Sequence, residues 1–236
     1  NPIGAGPFKM ESNDPNSAIV LVKDESYDRA GKPHIDKVTF KVFTTEDAAY
    51  AEVQANQLDI TNIIPTAKRV DDLYRSDLDG RFSTTTEGVF QSFTFPPVKT
   101  DPRYANPKLR QAISMAINRE NVIKVAFPER KPATGWVSPI VEGFKAGACG
   151  EFCTFNPERA KQLFDEAGGF EGTMTLAFNT GGGHEAWTAA VCTDIKNNLG
   201  VDCVPEPAVD FATFRTAIEA KEQKGLFRTG WQMDYP

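Results

Sequence analysis

The chain has 236 residues, of which 40% are hydrophobic, 11% aromatic and 25% charged. This is ordinary globular composition with enough apolar material for a real core, and it excludes extended disorder. The formal net charge of −6 comes without a Lys/Arg stripe, which argues against a nucleic-acid partner. No apolar run approaches the roughly 18 residues that span a bilayer. Neither a signal peptide nor a lipidation motif is present. The first residues, Asn1-Pro2-Ile3-Gly4, read as mid-protein loop, and the last, Asp234-Tyr235-Pro236, follow an apolar stretch. The expectation is therefore an internal fragment, in which a missing targeting signal says nothing about localisation.

Residues 6–11 and 17–23 read as strands, with Asn13, Asp14, Pro15 and Asn16 supplying the turn between them. Residues 36–43 alternate, placing Val38, Phe40 and Val42 on one face and Lys37, Thr39 and Lys41 on the other. A helix over 45–56 follows, with Thr45 as N-cap and Glu46 and Asp47 at the positive end of its dipole. Residues 58–64 predict a short apolar strand, 65–76 a second helix, and 81–95 one or two strands ended by Pro96-Pro97. The strongest helical pattern spans 107–117. Pro107 suits its first turn, and Leu109, Ala112, Ile113, Ala116 and Ile117 form its apolar stripe. Asn118 opens another short helix through Val125, and 128–155 is loop-rich.

A further helix has Asn156 as N-cap, Pro157 in its first turn and Gly168-Gly169 as its stop. Strand 173–178, helix 184–198, strand 201–204, helix 210–221 and strand 226–231 then alternate. That alternation implies an α/β sheet covered by helices.

Four cysteines occur, Cys149, Cys153, Cys192 and Cys203, spaced C-x3-C and C-x10-C. Zinc prefers C-x2-C pairs or nearby histidines, and neither His34 nor His184 stands at ligand spacing, so no metal site is read. Four buried free thiols and two local disulfides both remain compatible with this pattern. The even count and the short separations favour the disulfides Cys149–Cys153 and Cys192–Cys203, which would place the protein outside the cytoplasm.

Neither a G-x-S-x-G elbow nor a P-loop is present, and no cofactor motif appears. Gly181-Gly182-Gly183 before a helix is either an anion-binding turn or simply a turn. His184 at that helix start reads equally as a cap or surface residue. The terminal run Phe227-Arg228-Thr229-Gly230-Trp231-Gln232-Met233-Asp234 places a cation, a large aromatic and a carboxylate at a strand end. Ligands of α/β sheets often bind there, although a core Trp and a turn Asp would give the same pattern.

At this run the chain resembles the peptide/nickel-type extracellular solute-binding proteins, family 5, of ABC importers. Asn1-Pro2-Ile3-Gly4-Ala5-Gly6-Pro7-Phe8 resembles the family's P-x-G-T-G-P-F/Y strand. Leu109-Arg110-Gln111-Ala112-Ile113 through Ala116-Ile117-Asn118-Arg119 resembles its V-R-Q-A-L-x-x-A-I-D-R helix. Asn156-Pro157-Glu158-Arg159-Ala160-Lys161-Gln162-Leu163, Asn198-Leu199-Gly200-Val201 and Gly230-Trp231 with Asp234-Tyr235-Pro236 match three more segments in order. The paired cysteines resemble Gram-positive members with extra disulfides. The family's Y-x-x-F-N is replaced by Ser92-Phe93-Thr94-Phe95-Pro96, so a side-chain amide that often contacts ligand is missing.

The resemblance implies a periplasmic-binding-protein-like fold, type II of the large cluster. Its two lobes of mixed sheet flanked by helices would be incomplete in this chain: residues 1–121 the middle of lobe I and 122–236 the first part of lobe II. It implies a receptor, not an enzyme, that captures di- or oligopeptides outside the cell and hands them to the permease subunits. Membrane attachment would come only through an N-terminal lipid anchor absent from this chain. Carried over residue by residue, Asp234 would pair with a peptide ammonium, Trp231 would wall the ligand and the Gly230 backbone would bond it like an added strand. Arg228 and His184 would meet a peptide carboxylate. A nickel chelate, an oligosaccharide or an opine is the alternative ligand, and a hydrolase the more distant one.

Overall fold

A computed structural model describes residues 4–233. It forms two compact units, one up to Thr61 and one from Asn62 onward.

The first unit is an antiparallel sheet of β1 (Phe8–Asp14), β2 (Ala18–Lys23) and β3 (Lys37–Lys41) in the order β1-β2-β3, followed by α1 (Glu46–Gln54). The Asp14–Ser17 turn closes through Ser17 N–H to the Asp14 carbonyl at 3.1 Å and Asn16 N–H to Asp14 Oδ1 at 3.0 Å. This is the self-bonding that suits Asp to turns. Thr45 caps α1 as expected, its Oγ1 accepting from Ala48 N–H at 3.2 Å. The apolar face expected of residues 36–43 is largely uncovered, with Phe40 56% and Val42 46% exposed.

Residues 58–64 form no strand. Gln57 and Leu58 N–H instead bond the Glu52 carbonyl at 2.8 and 3.2 Å, wrapping the C-terminus of α1, and Ile60 stands 83% exposed. A short apolar run becomes a strand only where a ladder partner is available. The helix expected over 65–76 is two, α2 (Thr66–Val70) and α3 (Leu73–Asp77), because Asp72 takes a left-handed φ of 54° that breaks the first. Of 81–95, only β4 (Val89–Thr94) is a strand, the stretch that finds a partner.

The second unit is a sheet covered on both faces. Its order is β4-β7-β5-β6, with β5 (Met174–Asn179), β6 (Cys203–Ala208) and β7 (Leu226–Gln232) parallel and β4 antiparallel to β7. Helices α4 (Pro107–Met115), α5 (Arg119–Ala126), α6 (Pro157–Glu166) and α7 (Glu185–Leu199) pack in one core with Met174, Leu176 and Leu226. On the other face α8 (Phe211–Glu219) sets Phe214 against Ala177 and Phe227. Strands buried on both sides read as continuous apolar runs, as β5 does.

The cap expected at Asn156 is in place, and Asn106 and Asp210 act in the same way. Asn106, Asn156 and Asp210 accept from Lys108, Arg159 and Thr213 N–H at 3.0, 3.0 and 2.7 Å. The apolar stripe of α4 is buried at Leu109, Ala112, Ile113 and Met115. The strand expected over 201–204 starts at Cys203 and runs to Ala208 through Pro205 and Pro207. Prolines cannot donate to a ladder, and an edge strand such as β6 tolerates them.

Both disulfides are present. Cys192–Cys203 ties α7 to the start of β6, and Cys149–Cys153 closes a loop whose Cys153 carbonyl accepts from the partly buried Arg119 guanidinium at 3.3 Å.

Candidate functional site

The parallel strands carry their chemistry at their C-terminal ends, where the helix covering one side begins. Asn179, the last residue of β5, is buried. Gly181 and Gly183 take φ of 75° and 65°, turning the chain back into α7 and setting His184 at its start. His184 is 7% exposed, so it is neither the surface residue nor the side-chain cap that sequence allowed. Its ring Nδ1 accepts from Trp187 Nε1–H at 3.1 Å, with the two rings edge-to-face at 6.1 Å between centroids.

Arg228 comes from β7 and reaches the same place. Its Nε–H donates to Asn179 Oδ1 at 2.9 Å, and its guanidinium lies 5.5 Å from the Phe211 ring centroid and 5.9 Å from that of Phe214. Among the described residues no carboxylate lies within ion-pairing distance of it. Burial lowers the Arg228 pKa from its usual value. Burial first, then the positive charges of Arg228 and Arg130, lower the His184 pKa to about 4. The imidazole is therefore neutral at physiological pH, beside a half-buried cation that has no acid partner among the described residues.

Two glycines permit close packing here. A Cβ at Gly182 would lie 2.7 Å from His184 Nε2 and 3.1 Å from Asn179 Nδ2. One at Gly230 would lie 3.2 Å from Arg228 Nη1. Gly230 pairs with Gln91 of β4, whose Nε2–H donates to the Thr229 carbonyl at 2.7 Å. On its other side β7 pairs with β5 only at Leu226 and Phe227, so its later residues extend beyond that ladder. Trp231 pairs with Phe90 and is 62% exposed.

Of the residues selected from sequence, the structure brings Arg228 and His184 together about Asn179. Gly230 and Trp231 follow along β7, and Asp234 lies outside the described residues. Asn179 and Trp187 escaped the sequence reading. The available signals were an amide closing a strand before a glycine run and a Trp one helical turn after the histidine. Pro96 is buried just past β4 and brings no amide. A depression of ≈ 400 Å³ lined by Arg103, Thr173, Glu206 and Lys224 lies by the beginnings of β5 and β7, the opposite end of the sheet. Among the described residues no cluster of His, Cys, Asp and Glu is suited to a metal ion, and no helix is long and apolar enough to cross a membrane.

The profile described as bacterial extracellular solute-binding proteins, family 5 Middle, matches residues 1–236. The chain belongs to this family. It is 26% identical over 240 residues to the glutathione-binding protein GsiB of Salmonella typhimurium, covering 98% of this chain and 45% of that protein. It is 27% identical over 237 residues to the dipeptide-binding protein DppE of Bacillus subtilis, covering 95% and 41%. The fold matches that of the Escherichia coli murein tripeptide binding protein MppA with a TM-score of 0.83 at 24% identity, covering 98% of this chain and 45% of that one. The chain thus spans less than half the length of these relatives, and its fold is the periplasmic-binding-protein-like α/β fold in part.

Proposed function

We propose that this chain is the middle of an ABC-importer receptor that captures short peptides outside the cell and delivers them to the permease, without chemical turnover. In this reading, residues 1–121 belong to one lobe and 122–236 to the other, and a lipid anchor lies in an N-terminal segment. The observation that carries the reading is the placing of Arg228, which has no acid partner among the described residues, near a neutral, buried His184 at the end of the parallel strands. A half-buried guanidinium without a counter-ion is costly to keep, and a ligand carboxylate repays it through charge-assisted hydrogen bonds. The β7 backbone beyond Phe227 supplies a strand edge for the peptide, with Gly230 and Trp231 along it. Asp234 pairs with the peptide ammonium. The two terminal charges then define ligand polarity.

The test is calorimetric titration of the full-length receptor with a peptide, its C-terminal amide and its N-acetyl form. Asp234→Asn removes a charge with little change of size. Loss of a desolvated charge pair costs roughly 2–5 kcal/mol, about thirty- to several-thousand-fold in affinity. Equal binding of all three ligand forms, or unchanged affinity in Asp234→Asn, refutes the proposed anchors. Binding of a sugar or a metal chelate in place of peptides, or consumption of the peptide, refutes the peptide receptor itself.

A further inference from the structure

We infer that Trp187 is a positioning residue that holds His184 in one tautomer, with its N–H on Nε2, and so makes it a donor towards the ligand. This rests on the reading of His184 as a ligand residue. An indole N–H donates and never accepts. The 3.1 Å bond from Trp187 Nε1 to His184 Nδ1 therefore requires a lone pair on Nδ1, which leaves the ring proton on Nε2. Trp187 is 4% exposed and sits one helical turn along α7 from His184, so both rings are held by packing and by the rigid helix.

The proton is directed usefully. Nε2 faces Gly182, where a Cβ would lie 2.7 Å away, and Asn179 Nδ2 would be 3.1 Å from that same Cβ. Asn179 Oδ1 in turn holds Arg228 at 2.9 Å. His184 Nε2 and Asn179 Nδ2 thus both pack against Gly182, an approach that any side chain there would block, and Asn179 Nδ2 also donates to the Thr180 carbonyl at 3.2 Å. With the Asn179 amide engaged, the Nε2–H of His184 and the Nη groups of Arg228 are the donors left, and they suit a carboxylate or carbonyl oxygen and not a cation or an N–H. Trp187 also opposes protonation of Nδ1, since a proton there would displace the indole hydrogen bond. Arg228 from β7 and Arg130 from the loop after α5 are the charged groups acting on the ring, and both oppose its protonation too. The consequence is a carboxylate subsite of constant strength across about pH 5–8, the range over which an ordinary histidine changes charge.

The experiment uses full-length receptor labelled with ¹⁵N in histidine, with His184→Gln to assign the signals. Unsubstituted protein is expected to show the Nε2–H tautomer and no titration of His184 between about pH 5 and 8. Trp187→Phe keeps an aromatic ring but removes the donor. Its His184 is expected to lose the single tautomer and show an Nδ1–H population beside Nε2–H, while burial and the two arginines still keep the ring neutral across that window. A proton on Nδ1 in the unsubstituted protein overturns the inference without any variant, as does Trp187→Phe with an unchanged imidazole spectrum. If the spectra are as expected but the C-terminal amide binds as tightly as the acid, the role of Trp187 stands and the carboxylate reading falls.

Discussion

Replacing Cys192 and Cys203 together by alanine removes the disulfide that ties the middle of α7 to the start of β6. The bond joins residues 11 apart in sequence, so opening it frees a loop of that size in the unfolded chain. Chain entropy then sets a loss of about 3 kcal/mol, near a hundredfold in the folded-to-unfolded ratio. The same relation assigns about 2 kcal/mol to Cys149–Cys153, whose residues are 4 apart. Position in the fold widens the difference. Cys192 is 3% exposed in the main core, and β6 pairs along its whole length with the central strand β5. Cys149–Cys153 closes a loop outside the main core cluster, with Cys149 itself 7% exposed. Hydrogen exchange of the full-length receptor reads both locally. Amides of α7 and β6 should exchange about a hundredfold faster in Cys192→Ala/Cys203→Ala, while Cys149→Ala/Cys153→Ala should act mainly near residues 134–153. Acceleration below threefold in α7 and β6, or equal effects there from the two pairs, would refute the assignment of the longer link as the stabilising one.

Two further outcomes concern the sheet and its site. The His184 pKa is about 4 against an ordinary 6.5, so the unfolded chain takes up a proton that the native state refuses. The stability this contributes is complete above about pH 6.5 and is lost as pH falls towards 4, amounting to roughly 2–3 kcal/mol. Urea midpoints compared at pH 7.5 and 4.5 should therefore separate more widely in the unsubstituted protein than in His184→Gln, and equal separations would contradict the buried neutral imidazole. Gly225 enters β7 with φ of 74°, and a Cβ there would collide with Thr175 Oγ1 and lie 3.0 Å from the Thr175 carbonyl oxygen. Gly225→Ala should cost roughly 2–4 kcal/mol from the left-handed backbone and the collision together, measured by denaturant unfolding, and a neutral result would mean β7 starts elsewhere.

Local chemistry was legible along the chain wherever a residue acts on its own neighbours. Asn106, Asn156 and Asp210 bond N–H groups two or three residues on, and the α4 stripe repeats at helical spacing, so these elements are written in short windows. The alternation from β5 to β7 and the near-neighbour cysteines belong to the same class, and the ordered motifs were enough to point to the family. Elements that depend on a distant partner were not legible. Residues 58–64 are apolar and 81–88 are rich in threonine, both strand-like, but neither has a ladder to join, whereas Val89–Thr94 is a strand because β7, some 140 residues later, lies beside it. Asp72 breaks a helix through a backbone angle that the apolar spacing does not encode. The site divides the same way. Arg228 and His184 were singled out together by the family resemblance, since His184 on its own reads as a cap or surface residue. That they meet through Asn179, 49 residues from Arg228, and that a Trp on the next helical turn sets the proton of His184, was decided by how β5, β7 and α7 pack. Periodicity and capping are short-range effects within one stretch of chain, while donor, acceptor and tautomer at a shared site depend on distances that only the folded sheet sets.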